Sequence, residues 1–159
     1  MNIDKAENLA NTLIRTHLDA SWHFRWNKRK SAFGLCHYGR RSIELSRALT
    51  EIETEEAVEQ TILHEIAHAI SGPGTGHGAV WKANARKLGV KKPACRRQPT
   101  GEIPENFYKW AIMLEGKIVK QYHRKPSKNI ISRIPNMYVS GRKETMGKLY
   151  LKFIGKSAA

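Results

Sequence analysis

The sequence predicts an α+β fold, with a first region of helices and short strands followed by a small, mostly β appendage. Two stretches with helical apolar spacing flank short β-favouring stretches in the first hundred residues. From Tyr108 onward, YKWAIML, IVKQYHR, NMYVSG and KLYLKFI favour strands joined by turns. A chain of 159 residues suffices for one ordinary domain with a small addition. We therefore predict a first domain over 1-100 and an appendage over 101-159.

The first domain is predicted to open with a helix from Asp4 to Ala20, because its leucine and isoleucine residues recur at helical spacing. Between Trp22 and Ser46, the stretches WHFRW, AFGLCHY and SIELS are rich in aromatic and β-favouring residues and are separated by charged or glycine-containing turns. They predict short strands of an antiparallel sheet.

A second helix is predicted to begin after a threonine cap, Thr50 or Thr54, and to run to about Ile70. Glutamates cluster at its start, where the helix dipole favours negative charge. One side should be buried, because apolar residues recur every fourth position at Val58, Ile62, Ile66 and Ile70. The glycine- and proline-containing stretch SGPGTGHG then breaks the helix, and AVWKANARKLG resumes helical character up to a cap at Gly89.

The composition predicts a soluble, cytoplasmic protein. No apolar run approaches the roughly 20 residues that cross a bilayer, and the N-terminus has the pattern of neither a signal nor a transit peptide. Only Cys36 and Cys95 are present, which favours two free thiols in a reducing compartment over a disulfide framework.

The net charge of +14 is concentrated near the C-terminus. From Lys117 to Ala159 there are 11 Lys and Arg residues, against Glu144 as the only acidic residue. Such an excess predicts an anionic partner, most often nucleic acid, whose phosphates release counterions on binding. The alternative is a solvated basic face that only keeps the protein in solution.

The HEIAH segment carries the predicted chemistry. His64 and His68 are four residues apart on a helix, so both project from one face and can bind one zinc ion. Glu65 points about 100° around the helix, where it can act as a general base on water. A catalytic zinc commonly takes three protein ligands, and we predict His77, between two glycines after the turn, as the third. One Zn²⁺ per chain follows.

Other assignments of this motif fit the sequence less well. The longer pattern HExxHxxGxxH fails, because Ser71 and Gly74 occupy the positions of its glycine and third histidine. A carboxylate third ligand from Glu102 or Glu105 would lack a helix to orient it. The histidines could also be ordinary polar side chains. The complete motif on an apolar helix favours a zinc site, with peptide hydrolysis as the default reaction.

The segments RRSIELS, LHEIAHAI and GHGAVWK together resemble the SprT-like family over roughly Asp4 to Gly89. That family has a zincin-like catalytic domain and includes the Spartan proteases, which act on proteins crosslinked to DNA. The resemblance implies a metalloendopeptidase with His64, His68 and His77 as zinc ligands and Glu65 as the catalytic glutamate. It also implies that a strand over Ile43, Glu44 and Leu45 flanks the cleft and pairs with the substrate backbone.

The appendage departs from the family pattern, because no cysteine follows Cys95 and the usual zinc ribbon would need cysteine pairs. We expect a ribbon-like β appendage without metal. Its cations, interleaved with aromatic residues, are candidates for salt-sensitive contact with DNA. The predicted nucleic-acid contacts are Arg124, Lys125, Lys128, Arg142 and Lys143.

The predicted function is therefore zinc-dependent hydrolysis of peptide bonds, with DNA-associated proteins as the expected substrates and no membrane partner. One alternative is a nucleic-acid-binding accessory protein whose zinc site is structural or inactive. Another is a zinc hydrolase that acts on a bond other than the peptide bond. The sequence does not decide the oligomeric state.

Overall fold

A computed structural model of the chain describes residues 1–91, 99–105 and 107–155. These residues form two compact units, Met1–Glu102 and Ile103–Ala159. Cys95 lies outside the described residues, whereas Cys36 is a free thiol. None of the described helices is both long enough and apolar enough to cross a bilayer.

The first unit combines four helices with a three-stranded sheet within the described residues. The helix predicted from Asp4 to Ala20 is present as α1, where the Asn2 side chain accepts a hydrogen bond from the Lys5 backbone N–H at the N-cap. The elements in chain order are α1 (Ile3–His17), β1 (His23–Asn27), β2 (Gly34–His37), β3 (Ser42–Ser46), α2 (Arg47–Thr50), α3 (Glu55–Ser71) and α4 (Ala79–Lys87).

The sheet is mixed, with the strand order β1-β3-β2. β2 and β3 form an antiparallel pair, joined by a 3-10 turn over Tyr38–Arg40 and by Arg41 in the left-handed conformation. β1 pairs with β3 in parallel, so the prediction of an antiparallel sheet was wrong for this pair. After β1 the chain crosses to the far edge of the sheet and forms β2. It then turns back and forms β3 between β1 and β2, so that β3 runs in the same direction as β1.

The core of the first unit is formed by α1, β3 and α3. Small residues of α1 lie against the sheet and the apolar stripe of α3, and this cluster comprises Ala6, Ala10, Ile14, Ile43, Leu45, Val58, Ile62 and Ile66. Burial of these side chains supplies the main stabilisation of the unit. Ile70 was predicted to continue the stripe but is 46% exposed, because it lies beyond the region of α3 that this cluster covers.

The second unit contains the sheet β5-β4-β6, built from β4 (Trp110–Leu114), β5 (Lys117–Tyr122) and β6 (Tyr150–Phe153). Both pairs are antiparallel. The NMYVSG segment was predicted as a strand, but it forms only an isolated bridge between Val139 and Arg142. A helix, α5 (Lys128–Arg133), precedes it. Ile134, which follows α5, packs with Ile112, Leu114 and Leu149, so this segment covers the sheet as a helix and turn.

Candidate metal centre

A glycine-rich turn brings His77 back to α3. Helix α3 begins with the Thr54 side chain as N-cap and ends at Ser71. The next residues include Gly72, Gly74 and Gly76, with φ angles of 83°, 83° and 51°. Positive φ is the region that glycine enters without steric cost, so these positions allow the chain to reverse sharply. The turn is held at its start by Thr75, whose hydroxyl donates to the Gly72 carbonyl.

The three predicted ligands converge through their Nε2 atoms. The His77 Nε2 atom lies 3.0 Å from that of His64 and 3.1 Å from that of His68. Their candidate ligand atoms all lie within 4.8 Å of one another, so the three histidines can bind one metal ion. Two nitrogens about 2.0–2.1 Å from a tetrahedral zinc ion would be about 3.3 Å apart, so this spacing is consistent with zinc.

Burial keeps two of these imidazoles neutral. It lowers the pKa of His64 to about 4, with a smaller contribution from the neighbouring His68 and His77 rings. Burial also lowers the pKa of His68 to about 4, and His77 again adds to the effect. Neutral imidazoles have a nitrogen lone pair available for a metal, so the two helical histidines are suited to coordination at neutral pH.

Glu65 belongs to α3, and its side chain is buried against β2. A Cβ atom added at Gly34 would lie 2.7 Å from the Glu65 Cγ atom and 2.9 Å from its Oε1 atom, so the glycine is what lets the strand approach the carboxylate. Burial raises the pKa of Glu65 to about 7, although a hydrogen bond from the Cys36 backbone N–H opposes this rise. A carboxyl group with this pKa can both accept and donate a proton near neutral pH.

Two further side chains of the β2 region surround Glu65. Burial, followed by the nearby Glu65 charge, raises the pKa of the Cys36 thiol to about 12. The single O–H of Tyr38 is shared between the backbone carbonyls of His68 and Gly72, at 3.0 and 3.1 Å, and links this segment to the end of α3. Sequence reasoning did not assign these roles, because only the β-favouring pattern of AFGLCHY marks this segment.

The expected substrate-pairing residues Ile43, Glu44 and Leu45 lie in β3, which is the central strand of the sheet. All three are buried, and the two sides of β3 are paired with β1 and β2. A strand paired on both sides has no free row of backbone donors and acceptors for a substrate. This assignment is therefore corrected: β2, not β3, is the strand beside Glu65.

Two recesses meet at Glu65. The larger, about 660 Å³, runs along α3 from His64 and Glu65 past Thr61 and is bounded on the strand side by Phe33 and other residues. The smaller, about 460 Å³, is lined by residues that include Leu35, Cys36 and His68. The β2 segment thus borders both recesses, and Glu65 lies where they adjoin.

The five predicted nucleic-acid contacts lie in the second unit, and all of them are exposed. Lys125 has its Nζ atom 5.4 Å from the centroid of the Trp110 ring, a cation–π distance. Arg142 is paired with Glu144 at 3.1 Å, so its charge is partly balanced. Arg124, Lys128 and Lys143 complete the set.

Comparison with known protein families identifies the first unit. The profile of the SprT-like family matches residues 4–101, which is more than half of the chain and includes all three histidines and Glu65. The chain belongs to the SprT-like family. The match ends before the second unit, so the basic appendage is not part of the SprT-like region. No curated protein and no solved structure matched the chain.

Proposed function

We propose that this SprT-like protein is a zinc-dependent metalloendopeptidase with a zincin-like catalytic domain. The observation that carries the proposal is the convergence of three histidines, with the His77 Nε2 atom 3.0 Å from that of His64 and 3.1 Å from that of His68. A buried glutamate, Glu65, lies on the helix that carries His64 and His68. Three protein ligands leave one position of a tetrahedral ion for water or substrate, which is the pattern of catalytic zinc sites. A structural site would be closed by a fourth protein ligand.

His64, His68 and His77 would hold the zinc, which supplies Lewis acidity that makes water more acidic and polarises a carbonyl oxygen. Glu65 accepts a proton from the attacking water at its carboxylate. It then donates that proton to the leaving amine as the peptide bond breaks. The pKa of Glu65, raised to about 7 by burial, suits both transfers near neutral pH.

The β2 edge is the proposed binding site for the substrate backbone. Within the described residues β2 pairs only with β3, which leaves its outer edge beside Glu65 for an extended peptide. The two recesses that adjoin Glu65 would accept substrate side chains on either side of the scissile bond. Gly34 belongs to the wall of the larger recess, and Leu35 and Cys36 to that of the smaller.

DNA-associated proteins are the proposed substrates, because the second unit carries exposed cations that suit phosphate binding. The sequence from Lys117 to Ala159 contains 11 Lys and Arg residues and a single acidic residue. Contact through these cations would bring the peptidase to proteins on DNA and would weaken with salt. Peptide hydrolysis and DNA contact can be tested separately.

The test combines metal analysis with a cleavage assay. The substrate is a DNA-binding protein, and its cleavage is measured both in the presence and in the absence of DNA. We expect one zinc per chain in the wild type, reduced zinc in His77→Ala, and full zinc with hydrolysis reduced by at least about 100-fold in Glu65→Gln. His23→Ala and Glu55→Gln alter an exposed histidine and an exposed glutamate of the first unit and should behave as wild type.

The outcomes separate the alternatives. A wild type that takes up no zinc contradicts the proposal. Zinc and DNA binding without hydrolysis would favour the accessory protein with an inactive site, which the basic second unit also supports. Hydrolysis of other bonds, with intact peptides, would favour a different zinc hydrolase.

A further inference from the structure

Trp81 lies against all three histidine rings. It is in the first turn of α4 and is fully buried. Its ring centroid is 4.7 Å from that of His64, 5.2 Å from that of His68 and 4.4 Å from that of His77. These are contact distances for aromatic rings. One indole therefore touches all three histidines of the candidate metal centre.

Within the described residues, His64 and His68 donate no second ring N–H to a protein group. A zinc-binding histidine commonly donates its second ring N–H to a carboxylate, a carbonyl or water, which fixes the ring. Over residues 1–91, 99–105 and 107–155, no hydrogen bond is made at Nδ1 of His64 or of His68. Ring packing is thus the main contact that restrains these two imidazoles.

We propose that Trp81 is a positioning residue, which fixes the three imidazoles so that their Nε2 atoms stay convergent. This inference rests on the metal site of the proposed function. Trp81 packs in one cluster with Leu63, Ala67 and Ala85, so the indole is itself held by α3 and α4. A rigid ring in contact with three ligands limits their rotation without hydrogen bonding to any of them.

Trp81 can be replaced without the loss of a hydrogen bond to the described residues. Its Nε1 atom is buried and has no acceptor among the described residues. Trp81→Phe therefore removes part of the ring contact without breaking a hydrogen bond to these residues. Trp81→Leu removes the aromatic contact of residue 81 with the histidines, while the contacts of the three imidazoles with one another remain. The two variants form a series in which ring area decreases stepwise.

The experiment measures metal binding directly. Zinc affinity is determined by competition with a chelator, and the ligand geometry by the visible absorption of the Co²⁺-loaded protein. Folding is checked by circular dichroism and by the melting temperature of the metal-free protein. The control is Trp26→Phe, because Trp26 is another tryptophan of the first unit and packs edge-on against Phe24. Its indole N–H donates to Glu7, so this control also loses one hydrogen bond away from the histidines.

We expect Trp81→Leu to bind zinc about 10- to 100-fold more weakly than wild type and to change the Co²⁺ spectrum. Trp81→Phe should restore part of both, and Trp26→Phe should change neither. If Trp81→Leu does not fold, the Phe variant carries the test through its Co²⁺ spectrum. Wild-type affinity and spectrum in the folded variants would overturn the inference, as would a lower melting temperature alone.

The failure of this inference differs from that of the proposed function. A wild type that binds zinc but hydrolyses no peptide would contradict the proposed peptidase and leave the role of Trp81 intact. Active wild type with unaltered metal binding in the Trp81 variants would contradict only the positioning role. A wild type that binds neither Zn²⁺ nor Co²⁺ would overturn both.

Discussion

At the scale of single residues, the position of Glu65 depends on the absence of a side chain at Gly34 in the neighbouring strand β2. Gly34 has no side chain, and this absence lets β2 lie against the Glu65 carboxylate while the Cys36 N–H donates to it. The three histidines converge through ring nitrogens on one side of α3, and β2 contacts the glutamate on another. The proposed ligands and the proposed base are therefore fixed by different contacts.

The first prediction concerns Gly34→Ala. The added Cβ would lie 2.7 Å from the Glu65 Cγ atom, closer than real Cβ contacts allow, so the carboxylate must move. A displacement of about 1 Å at a reacting group can reduce turnover by about 100-fold. We expect a loss of this order in kcat with zinc content unchanged, measured by peptide cleavage and metal analysis.

Gly39→Ala is the matched control, because the nearest atom to its added Cβ is 3.6 Å away, an ordinary contact. This variant should keep wild-type activity. Full activity in a folded, zinc-loaded Gly34→Ala protein would show that the close approach of β2 does not position Glu65.

The second prediction concerns the Cys36 thiol, whose pKa is raised to about 12 by burial and then by Glu65. The thiolate is the reactive form, so at pH 8.5 native Cys36 should react with iodoacetamide more than about 100-fold more slowly than an ordinary thiol of pKa about 8.5. Mass spectrometry of the Cys95→Ser protein measures this rate without the second thiol. The denatured protein gives the reference rate, and equal native and denatured rates would contradict the prediction.

At the scale of elements, the turn between α3 and α4 determines whether His77 reaches the helical histidines. Gly74 has a φ of 83° and no atom within 4 Å of an added Cβ, so Gly74→Ala introduces backbone strain without a clash. Left-handed backbone costs a non-glycine residue about 1–2 kcal/mol. The third prediction is that zinc binding weakens by about 5-fold, because the turn relaxes its strain in the metal-free protein and metal binding restores it. The free energy of unfolding of the zinc-loaded protein should fall by the corresponding amount, about 1 kcal/mol.

Gly116→Ala provides the control, since Gly116 has a similar φ of 78° and an equally open surrounding but lies between β4 and β5. It should destabilise the protein by a similar amount in denaturant unfolding. Its zinc affinity, measured by chelator competition, should equal that of wild type. Equal zinc affinities in the two variants would contradict a specific role for the turn.

The elements also separate what the sequence could predict from what it could not. The four-residue spacing of His64 and His68 acts within one helix, and the glycines beside His77 report a local turn, so short-range rules find all three. The parallel pairing of β1 with β3 depends on where a later strand inserts, which no local pattern encodes. The packing of Gly34 on Glu65 depends on that same sheet. Helix α5 was missed because its isoleucines also suit a strand.

At the scale of the whole molecule, the large positive net charge is a property that the candidate metal centre does not require. The net charge is +14, and the basic excess is greatest in the last third of the chain. The cations that we propose as phosphate contacts are exposed and lie outside the small core of the second unit. Binding of this kind should depend strongly on salt and weakly on base sequence.

The last prediction replaces Arg124, Lys125 and Lys128 together by alanine. Because each phosphate contact contributes to counterion release, the variant should bind a DNA duplex more weakly and reduce the slope of log affinity against log salt by about 1 per lost contact. Fluorescence anisotropy over a range of salt concentrations measures both. The control replaces Lys82, Arg86 and Lys87 of α4 by alanine. These residues are also exposed, and their replacement removes the same amount of positive charge. Equal losses in the two variants would mean that net charge alone drives binding, and a loss confined to the first would locate the DNA contact in the second unit.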